Sequence, residues 1–234
     1  MDALAIVITV SAIYILLCIL FSLFIDADST TFLYSKFGPS VTKRLEGRVL
    51  WIVGAGRGVG SAIAISAAAR GAKLVLTARN KNELEKVKTE CLNAGRYQEL
   101  KSEDILVLPF DISKMEDHDK HVKKVLEKMG KISGVIHCVG ASHYAQWVKT
   151  SLDTDRELFD TCVFGAVSLT RAMLPHMIER NNGMIGVLSC VEAQLAAPFA
   201  GSMTGYKHVR NLSRDYTSLN TYSGIGWVLQ IPET

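Results

Sequence analysis

Glycines that follow a short apolar run are the first residues of the chain whose type and spacing favour ligand binding. The run, Val49–Val53, predicts a strand, and the alanine-rich segment after the glycines predicts a helix. Gly54 can adopt backbone angles that a side chain forbids, Gly58 lets the main chain approach a phosphate, and Gly60 lets helix and strand pack closely. Unpaired N–H groups at the start of a helix attract anions. This glycine turn, residues 54–60, therefore predicts a cradle for the pyrophosphate of a dinucleotide, with an ordinary tight turn as the alternative.

Two arginines near the glycine turn bear on the choice of dinucleotide. NAD sites usually place an acidic residue at the end of the second strand, whereas a basic residue there favours the 2′-phosphate of NADP. The second predicted strand, Lys73–Thr77, is followed by Arg79 without an acidic residue, and Arg57 lies inside the glycine turn. Two guanidinium groups can bind one phosphate through charge-assisted hydrogen bonds. The sequence therefore predicts NADP(H) rather than NAD, with two solvated surface arginines as the alternative.

Two further titratable residues lie at the ends of predicted strands. Asp111 follows the third strand and could accept a hydrogen bond from an adenine amino group. A turn residue at the entry to a helix is the alternative for this aspartate. His137 lies in the apolar fourth strand and is interpreted as a core histidine rather than a general base.

Apolar and amphipathic segments alternate along most of the chain. Strands are predicted over residues 49–53, 73–77, 105–110, 134–138, 184–189 and 226–230, and helices over 61–70, 80–94, 113–129, 153–180 and 203–219. Asp153 is expected to cap the longest helix, and residues 181–183 are expected to end it. This alternation predicts a doubly wound (Rossmann) α/β fold with six parallel strands and helices on both faces. Ligands bind such folds at the carboxyl ends of the strands.

The N-terminal segment is apolar enough to predict a membrane anchor. Residues 3–25 carry no charge and would span about 34 Å as a helix, more than a hydrocarbon core of about 30 Å. A signal peptide is the alternative, but no positive charge precedes the run. The first basic residues follow the run, which favours a cytosolic domain behind a single transmembrane helix. The predicted division is an anchor over 1–28, a linker over 29–46 and a domain over 47–234.

Charge and cysteine content argue against several functional classes. The formal net charge is +3, and the sequence has no long basic run, so nucleic acid is not an expected partner. The 5 cysteines show no Cys-x-x-Cys spacing, so neither a disulfide framework nor a metal site is predicted. We expect free and mostly buried thiols.

Longer stretches of the sequence resemble a known enzyme family. The motif VGAGRGVG at 53–60, Asp111, the stretch SLTRAMLPHMIERNNGMI at 168–185 and Lys207 are similar to the short-chain dehydrogenase/reductase superfamily. The resemblance is closest to its membrane-anchored dehydrogenase/reductase member-seven group. It implies an NADP(H)-dependent oxidoreductase of lipophilic carbonyls or alcohols, of the retinoid or steroid class, at the endoplasmic reticulum membrane.

The resemblance also assigns residues to the cofactor and to a partner subunit. Lys207 takes the place of the lysine that holds the ribose, and Gly140 takes the place of the last glycine in the family's loop after the fourth strand. The residues assigned to the dinucleotide are Gly54, Gly56, Arg57, Gly58, Val59, Gly60, Arg79, Asp111, Gly140 and Lys207. The helices at 153–180 and 203–219 correspond to those through which the family forms homodimers or heterodimers.

The catalytic positions of the family are largely replaced in this sequence. The family uses a tyrosine as general acid, a lysine four residues later, a serine that polarises the carbonyl and an asparagine that supports a water relay. Lys207 is present, but the tyrosine, serine and asparagine positions hold Met203, Cys190 and Cys162. Cys190 could in principle act as a nucleophile, although small apolar core packing is favoured for it and for Cys162.

Two neighbouring hydroxyl residues do not restore these functions. Tyr206 adjoins Lys207, and consecutive residues on a helix point about 100° apart. Ser189 lies one residue before Cys190, and this offset turns a strand side chain to the opposite face.

The sequence therefore supports two functions. One is an NADP(H)-dependent oxidoreductase of lipophilic substrates, and the other is a catalytically inactive NADP(H)-binding pseudoenzyme that acts as a sensor or dimer partner. Family members also continue beyond the sixth strand into a substrate-binding segment, so a C-terminally shortened fold is expected.

Overall fold

The computed structural model describes residues 9–11, 13–16, 44–190, 193, 195, 198–212 and 226–231. The chain divides into two compact units, Met1–Arg44 and Leu45–Thr234. In the first unit, residues 9–11 and 13–16 are helical. Among the described residues, no helix has both the length and the apolar character needed to span a bilayer. The anchor predicted over residues 3–25 lies largely outside the described residues, as does most of the predicted linker.

The second unit contains a parallel sheet of five strands. These are β1 (Val49–Val53), β2 (Lys73–Thr77), β3 (Ile105–Val107), β4 (Gly134–His137) and β5 (Gly183–Leu188). Their spatial order is β3-β2-β1-β4-β5, and Val53 is paired with Thr77 on one side and His137 on the other. The predicted doubly wound α/β fold is confirmed in this part of the chain.

A further strand, β6 (Gly226–Ile231), pairs with β5 in the antiparallel direction. Gly183 is opposite Ile231, and Leu188 is opposite Gly226. The prediction of six parallel strands is therefore wrong for this strand. Side chains alternate with the same period in parallel and antiparallel strands, so an apolar run predicts a strand without predicting its direction.

Helices connect the strands. They are α1 (Gly58–Ala68), α2 (Lys81–Ala94), α3 (His118–Met129), α4 (Leu152–Phe159), α5 (Gly165–Glu179) and α6 (Gly201–Leu212). Short 3₁₀ turns occur at Arg96–Gln98, Ser102–Asp104, Met115–Asp117 and Trp147–Lys149. The part of the last predicted helix that follows residue 212 lies outside the described residues.

The long helix predicted over 153–180 consists of α4 and α5 joined by a π turn at Asp160–Phe164. Its N-cap is Ser151 rather than Asp153, because the Ser151 hydroxyl accepts a hydrogen bond from the Thr154 N–H at 3.2 Å. Serine and aspartate are comparable N-caps, and the sequence alone does not choose between them. Asn181 has a φ of 48° just after the helix, which agrees with the predicted stop.

Side chains of β1 alternate between the two faces of the sheet. Val49, Trp51 and Val53 pack with residues of α3 and α5, whereas Leu50 and Ile52 pack with residues of α1 and α2. Within the core, the indole N–H of Trp51 donates to the Thr77 hydroxyl at 2.9 Å. This packing and this hydrogen bond fix the carboxyl ends of β1 and β2 side by side.

Candidate functional site

A cleft of about 600 Å³ lies at the carboxyl ends of the parallel strands. It is lined by Val53, Gly54, Gly56, Arg57, Gly58, Thr77, Ala78, Arg79, Asn80, Glu83, Phe110, Asp111, Ile112, Cys138, Val139, Gly140, Ala141 and Thr161. The strand order reverses between β1 and β4, which is where doubly wound folds bind their ligands. Of the residues predicted to contact a dinucleotide, all but Val59, Gly60 and Lys207 line this cleft.

The glycine turn is built as the sequence predicts. Gly54 has a φ of +89°, and a Cβ atom added to it would lie 3.0 Å from the backbone of Cys138 and Val139. A Cβ atom added to Gly60 would lie 2.1 Å from the carbonyl oxygen of Gly54. Glycine is therefore required at both positions, and helix α1 begins at Gly58 with its N-terminus at the cleft. That this turn holds a pyrophosphate stays a prediction.

Both arginines predicted to recognise a 2′-phosphate reach the same cleft. Arg57 is the N-cap residue of α1, and Arg79 follows β2; both are exposed. The arrangement can therefore place two guanidinium groups beside the ribose of a bound dinucleotide.

Two carboxylates also line the cleft, and only that of Asp111 was predicted from the sequence. Asp111 accepts hydrogen bonds from the backbone N–H of Ser113 at 3.0 Å and from its hydroxyl at 2.9 Å. The turn function considered for Asp111 is therefore present, and a contact with adenine stays a prediction. Glu83, in the first turn of α2, is the carboxylate that the sequence analysis missed. Glu83 follows Arg79 by four residues and lies at the start of a helix, and this position in the sequence could have indicated that it lies near the cleft.

An aromatic ring forms one wall of the cleft. Phe110 stacks on His121 with ring centroids 4.1 Å apart and meets Trp51 edge-on at 6.4 Å. Burial lowers the pKa of His121 and of His118, which also contacts Phe110. Burial therefore favours the neutral form of both imidazoles behind this wall.

Two of the replaced catalytic positions are buried in the same cluster, and neither lines the cleft. Met203 is 2% exposed and Cys162 is 0% exposed, and they pack in one cluster with Tyr206. The other buried members of this cluster are Leu158, Val163 and Ala200. This arrangement supports the interpretation of Cys162 as core packing and provides no proton donor at Met203.

The remaining catalytic positions are also not among the residues that line the cleft. Lys207 is half-buried, and its Nζ atom lies 6.0 Å from the centroid of the Tyr206 ring. Cys190 is half-buried just beyond β5 and does not line the cleft. The Ser189 hydroxyl has no hydrogen-bond partner in the described part of the chain.

His137 is a core residue, as interpreted from the sequence. It is 1% exposed, and its Nε2 atom lies 2.8 Å from the Thr170 hydroxyl on α5. In the described part of the chain, no three His, Cys, Asp or Glu side chains form a group that could hold a metal ion. Cys91, Cys138, Cys162 and Cys190 are not joined by disulfide bonds, and burial raises the pKa of Cys91 to about 12.

Tyr206 links the cluster around Met203 to the cleft wall, a contact that sequence reasoning missed. Its side chain is buried, and its hydroxyl donates to the carbonyl oxygen of Ala141 at 2.7 Å. A Cβ atom added to Gly140 would lie 3.8 Å from the same hydroxyl. Because Gly140 and Ala141 line the cleft, this hydrogen bond holds the loop after β4 in place.

Replacement of Tyr206 by phenylalanine is expected to lower the free energy of unfolding by about 1–2 kcal/mol, because it leaves the carbonyl of the half-buried Ala141 without this donor. Urea denaturation of the two proteins measures the difference. Tyr144→Phe is the matched control, since Tyr144 is 60% exposed. Equal stabilities for Tyr206→Phe and the wild type would contradict the assigned hydrogen bond.

Comparison with known proteins gives a consistent family assignment. Residues 48–209 match the family model described as short chain dehydrogenase. The chain is 36% identical over 202 residues to the Homo sapiens protein "Dehydrogenase/reductase SDR family member 7", covering 86% of this chain and 59% of that protein. The chain therefore spans about three fifths of the length of this curated relative.

Solved structures agree with this assignment. A short-chain dehydrogenase from Streptomyces avermitilis superimposes with a TM-score of 0.64 at 27% identity, covering 73% of this chain and 59% of that one. A metagenomic short-chain oxidoreductase in complex with NADP superimposes with a TM-score of 0.67 at 24% identity, covering 74% of this chain and 76% of that one. At this identity the likeness supports the fold alone. With a family match over most of the second unit, a cleft at the strand reversal and a glycine turn at its edge, the chain belongs to the short-chain dehydrogenase family.

Proposed function

We propose that this protein binds NADP(H) in the cleft without catalysing hydride transfer, and that it acts as a sensor of the cofactor or as a dimer partner. The observation that carries this proposal is the burial of Met203 and Cys162 in one apolar cluster, where the family resemblance implies a tyrosine and an asparagine.

Cofactor binding is supported by the fit between the cleft and a dinucleotide. The family binds nicotinamide cofactors, and Gly54 and Gly60 allow the tight packing of strand, turn and helix that a pyrophosphate cradle requires. Backbone N–H groups at the start of α1 would hold the phosphates. Arg57 and Arg79 would hold the 2′-phosphate of NADP, which is the reason to prefer NADP(H).

Loss of catalysis is supported by the chemistry of the side chains. NADPH supplies a hydride when bound, and reduction of a carbonyl also requires a proton at its oxygen. A thioether at Met203 has no proton to donate, and a positioned general acid contributes about 10²- to 10⁴-fold in rate. The Tyr206 hydroxyl is engaged with the Ala141 carbonyl. Among the described residues near Lys207, the tyrosine hydroxyl is therefore already engaged as a hydrogen-bond donor.

A second candidate is an active NADP(H)-dependent oxidoreductase of lipophilic carbonyls or alcohols, of the retinoid or steroid class. One observation favours it: the Tyr206 phenol already lies against the Gly140–Ala141 wall of the cleft, with the Lys207 ammonium near its ring. A change in that hydrogen bond would present a phenol at the cleft. For both candidates we propose a location at the endoplasmic reticulum membrane, with residues 3–25 as the anchor.

Two measurements on the purified protein distinguish the candidates. Calorimetric titration with NADPH is expected to show saturable binding. Turnover of a panel of retinoids, steroids and quinones is expected to stay at background. A Gly60→Val variant, purified in parallel, controls for contaminating enzymes. Its side chain would collide with the Gly54 carbonyl oxygen and disrupt the cofactor site, whereas any contaminating enzyme would be unaffected. Turnover that is present in the wild type and absent from this variant would establish the oxidoreductase instead.

Location and assembly need separate tests. Protease protection of the protein in microsomes is expected to leave the domain accessible from the cytosolic side. Light scattering on the purified protein is expected to give the molar mass of a dimer. We propose that this dimer forms through α4, α5 and α6. A domain that is protected, or a monomer, would contradict the corresponding part of the proposal.

A further inference from the structure

We propose that Glu83 limits the preference of the cleft for a 2′-phosphate, so that Glu83 favours NAD(H) where Arg57 and Arg79 favour NADP(H). This inference rests on the proposed binding of a dinucleotide in the cleft. It adds a specificity-determining residue that opposes the two arginines.

The position of Glu83 follows from the capping of α2. Asn80 is the N-cap, and its side-chain oxygen accepts from the N–H groups of Asn82 at 3.0 Å and Glu83 at 3.5 Å. This cap fixes the first turn of α2 at the edge of the cleft. A Cβ atom added to Gly56 would lie 3.1 Å from Oε2 of Glu83, so the carboxylate lies against the glycine turn.

The Glu83 carboxylate lines the same cleft as the two arginines, beside the glycine turn that contains Arg57. Glu83 is half-buried, and with Arg57 and Arg79 it belongs to the cleft lining. In the described part of the chain, neither arginine lies within ion-pair distance of Glu83. The negative charge of Glu83 is therefore not neutralised by an ion pair with either arginine. It can interact electrostatically with a ligand group that binds beside it in the cleft.

The two dinucleotides differ in what they bring to this carboxylate. A ribose 2′-hydroxyl can donate a hydrogen bond to it, as the acidic residue of many NAD sites accepts one. A 2′-phosphate has no such donor when ionised and carries up to two negative charges, so it is repelled. Glu83 should therefore strengthen NADH binding and weaken NADPH binding.

A purely structural function for Glu83 gives a different expectation. An acidic residue in the first turn of a helix stabilises that helix through its dipole. If Glu83 served only this purpose, its replacement would weaken the binding of both dinucleotides by the same factor. The ratio of the two affinities separates the possibilities.

The test is calorimetric titration of the wild type and Glu83→Gln with NADPH, NADH, adenosine 2′,5′-bisphosphate and AMP. In Glu83→Gln we expect the affinity ratio of NADPH to NADH to rise roughly tenfold, with the same direction for the bisphosphate over AMP. The shift should become smaller as salt is added. Glu85→Gln is the matched control, because Glu85 is exposed on the same helix.

Each outcome has a distinct meaning. An unchanged affinity ratio in Glu83→Gln, with dinucleotide binding retained, overturns this inference and leaves the proposed function standing. Failure of the wild-type protein to bind either dinucleotide overturns the proposed function and this inference with it. A shift of equal size in Glu85→Gln also overturns the inference, because the effect would then be one of net charge rather than of position.

Discussion

Replacement of Gly60 by alanine is expected to abolish dinucleotide binding and to destabilise the fold. The added Cβ atom would lie 2.1 Å from the Gly54 carbonyl oxygen, a separation that non-bonded atoms do not tolerate. Helix α1 must then move away from β1, or the glycine turn must open. Overpacking at such a contact costs about 2–4 kcal/mol, and the displaced N–H groups no longer converge on a phosphate. We expect NADPH affinity to fall by about 100-fold or more.

Calorimetric titration and urea denaturation measure the two effects of Gly60→Ala. Gly205→Ala is the matched control: Gly205 lies in α6 at negative φ, and a Cβ atom added there makes an ordinary contact of 3.8 Å with Phe159. Alanine is a better helix former than glycine, so this control should be neutral or slightly stabilising. Gly60→Ala protein that binds NADPH as the wild type does would remove the basis for placing the phosphates at this turn.

The double substitution Met203→Tyr with Cys190→Ser is expected to produce measurable NADPH-dependent reduction of a carbonyl substrate. Position 203 lies four residues before Lys207 on α6, so the two side chains share a face of the helix. A tyrosine there provides the proton donor that Met203 lacks, and a serine at 190 provides a hydroxyl for the carbonyl oxygen. We expect turnover to rise by about 10²- to 10⁴-fold over the wild type.

The matched control is Met203→Phe with Cys190→Ser, which has nearly the same bulk without the phenol hydroxyl. Because Met203 is buried among close neighbours, either aromatic ring will cost about 1–3 kcal/mol in packing, and the folded fraction must be measured alongside turnover. Equal turnover by the tyrosine and phenylalanine variants would show that position 203 does not limit catalysis in this protein.

Features set by neighbouring residues could be predicted from the sequence. The strand, glycine turn and helix around Gly54 and Gly60 are one continuous segment, and their packing requirements follow from backbone geometry. The alternation of apolar runs and helices also predicted the doubly wound fold, because right-handed crossovers leave few arrangements. The sequence therefore identified the edge of the sheet at which the cleft lies, and it predicted 7 of the 18 residues that line the cleft.

Features set by contacts between distant segments could not be predicted in this way. The hydrogen bond from Tyr206 to Ala141 joins residues far apart in the chain, and no local pattern indicates it. Glu83 is an ordinary helix residue by sequence, and it becomes part of the cleft only because Asn80 caps α2 beside Gly56. The direction of β6 likewise depends on pairing with β5.

The reversed direction of β6 determines which of its residues can be near the cleft. Leu188, at the cleft end of β5, is level with Gly226, whereas Ile231 is level with Gly183 at the far edge of the sheet. In a parallel strand, the last residues would instead lie at the edge of the sheet where the ligand binds. In this topology the sixth strand meets the binding edge as it enters the sheet, so a substitution near Gly226 is better placed to alter ligand affinity than one near Ile231.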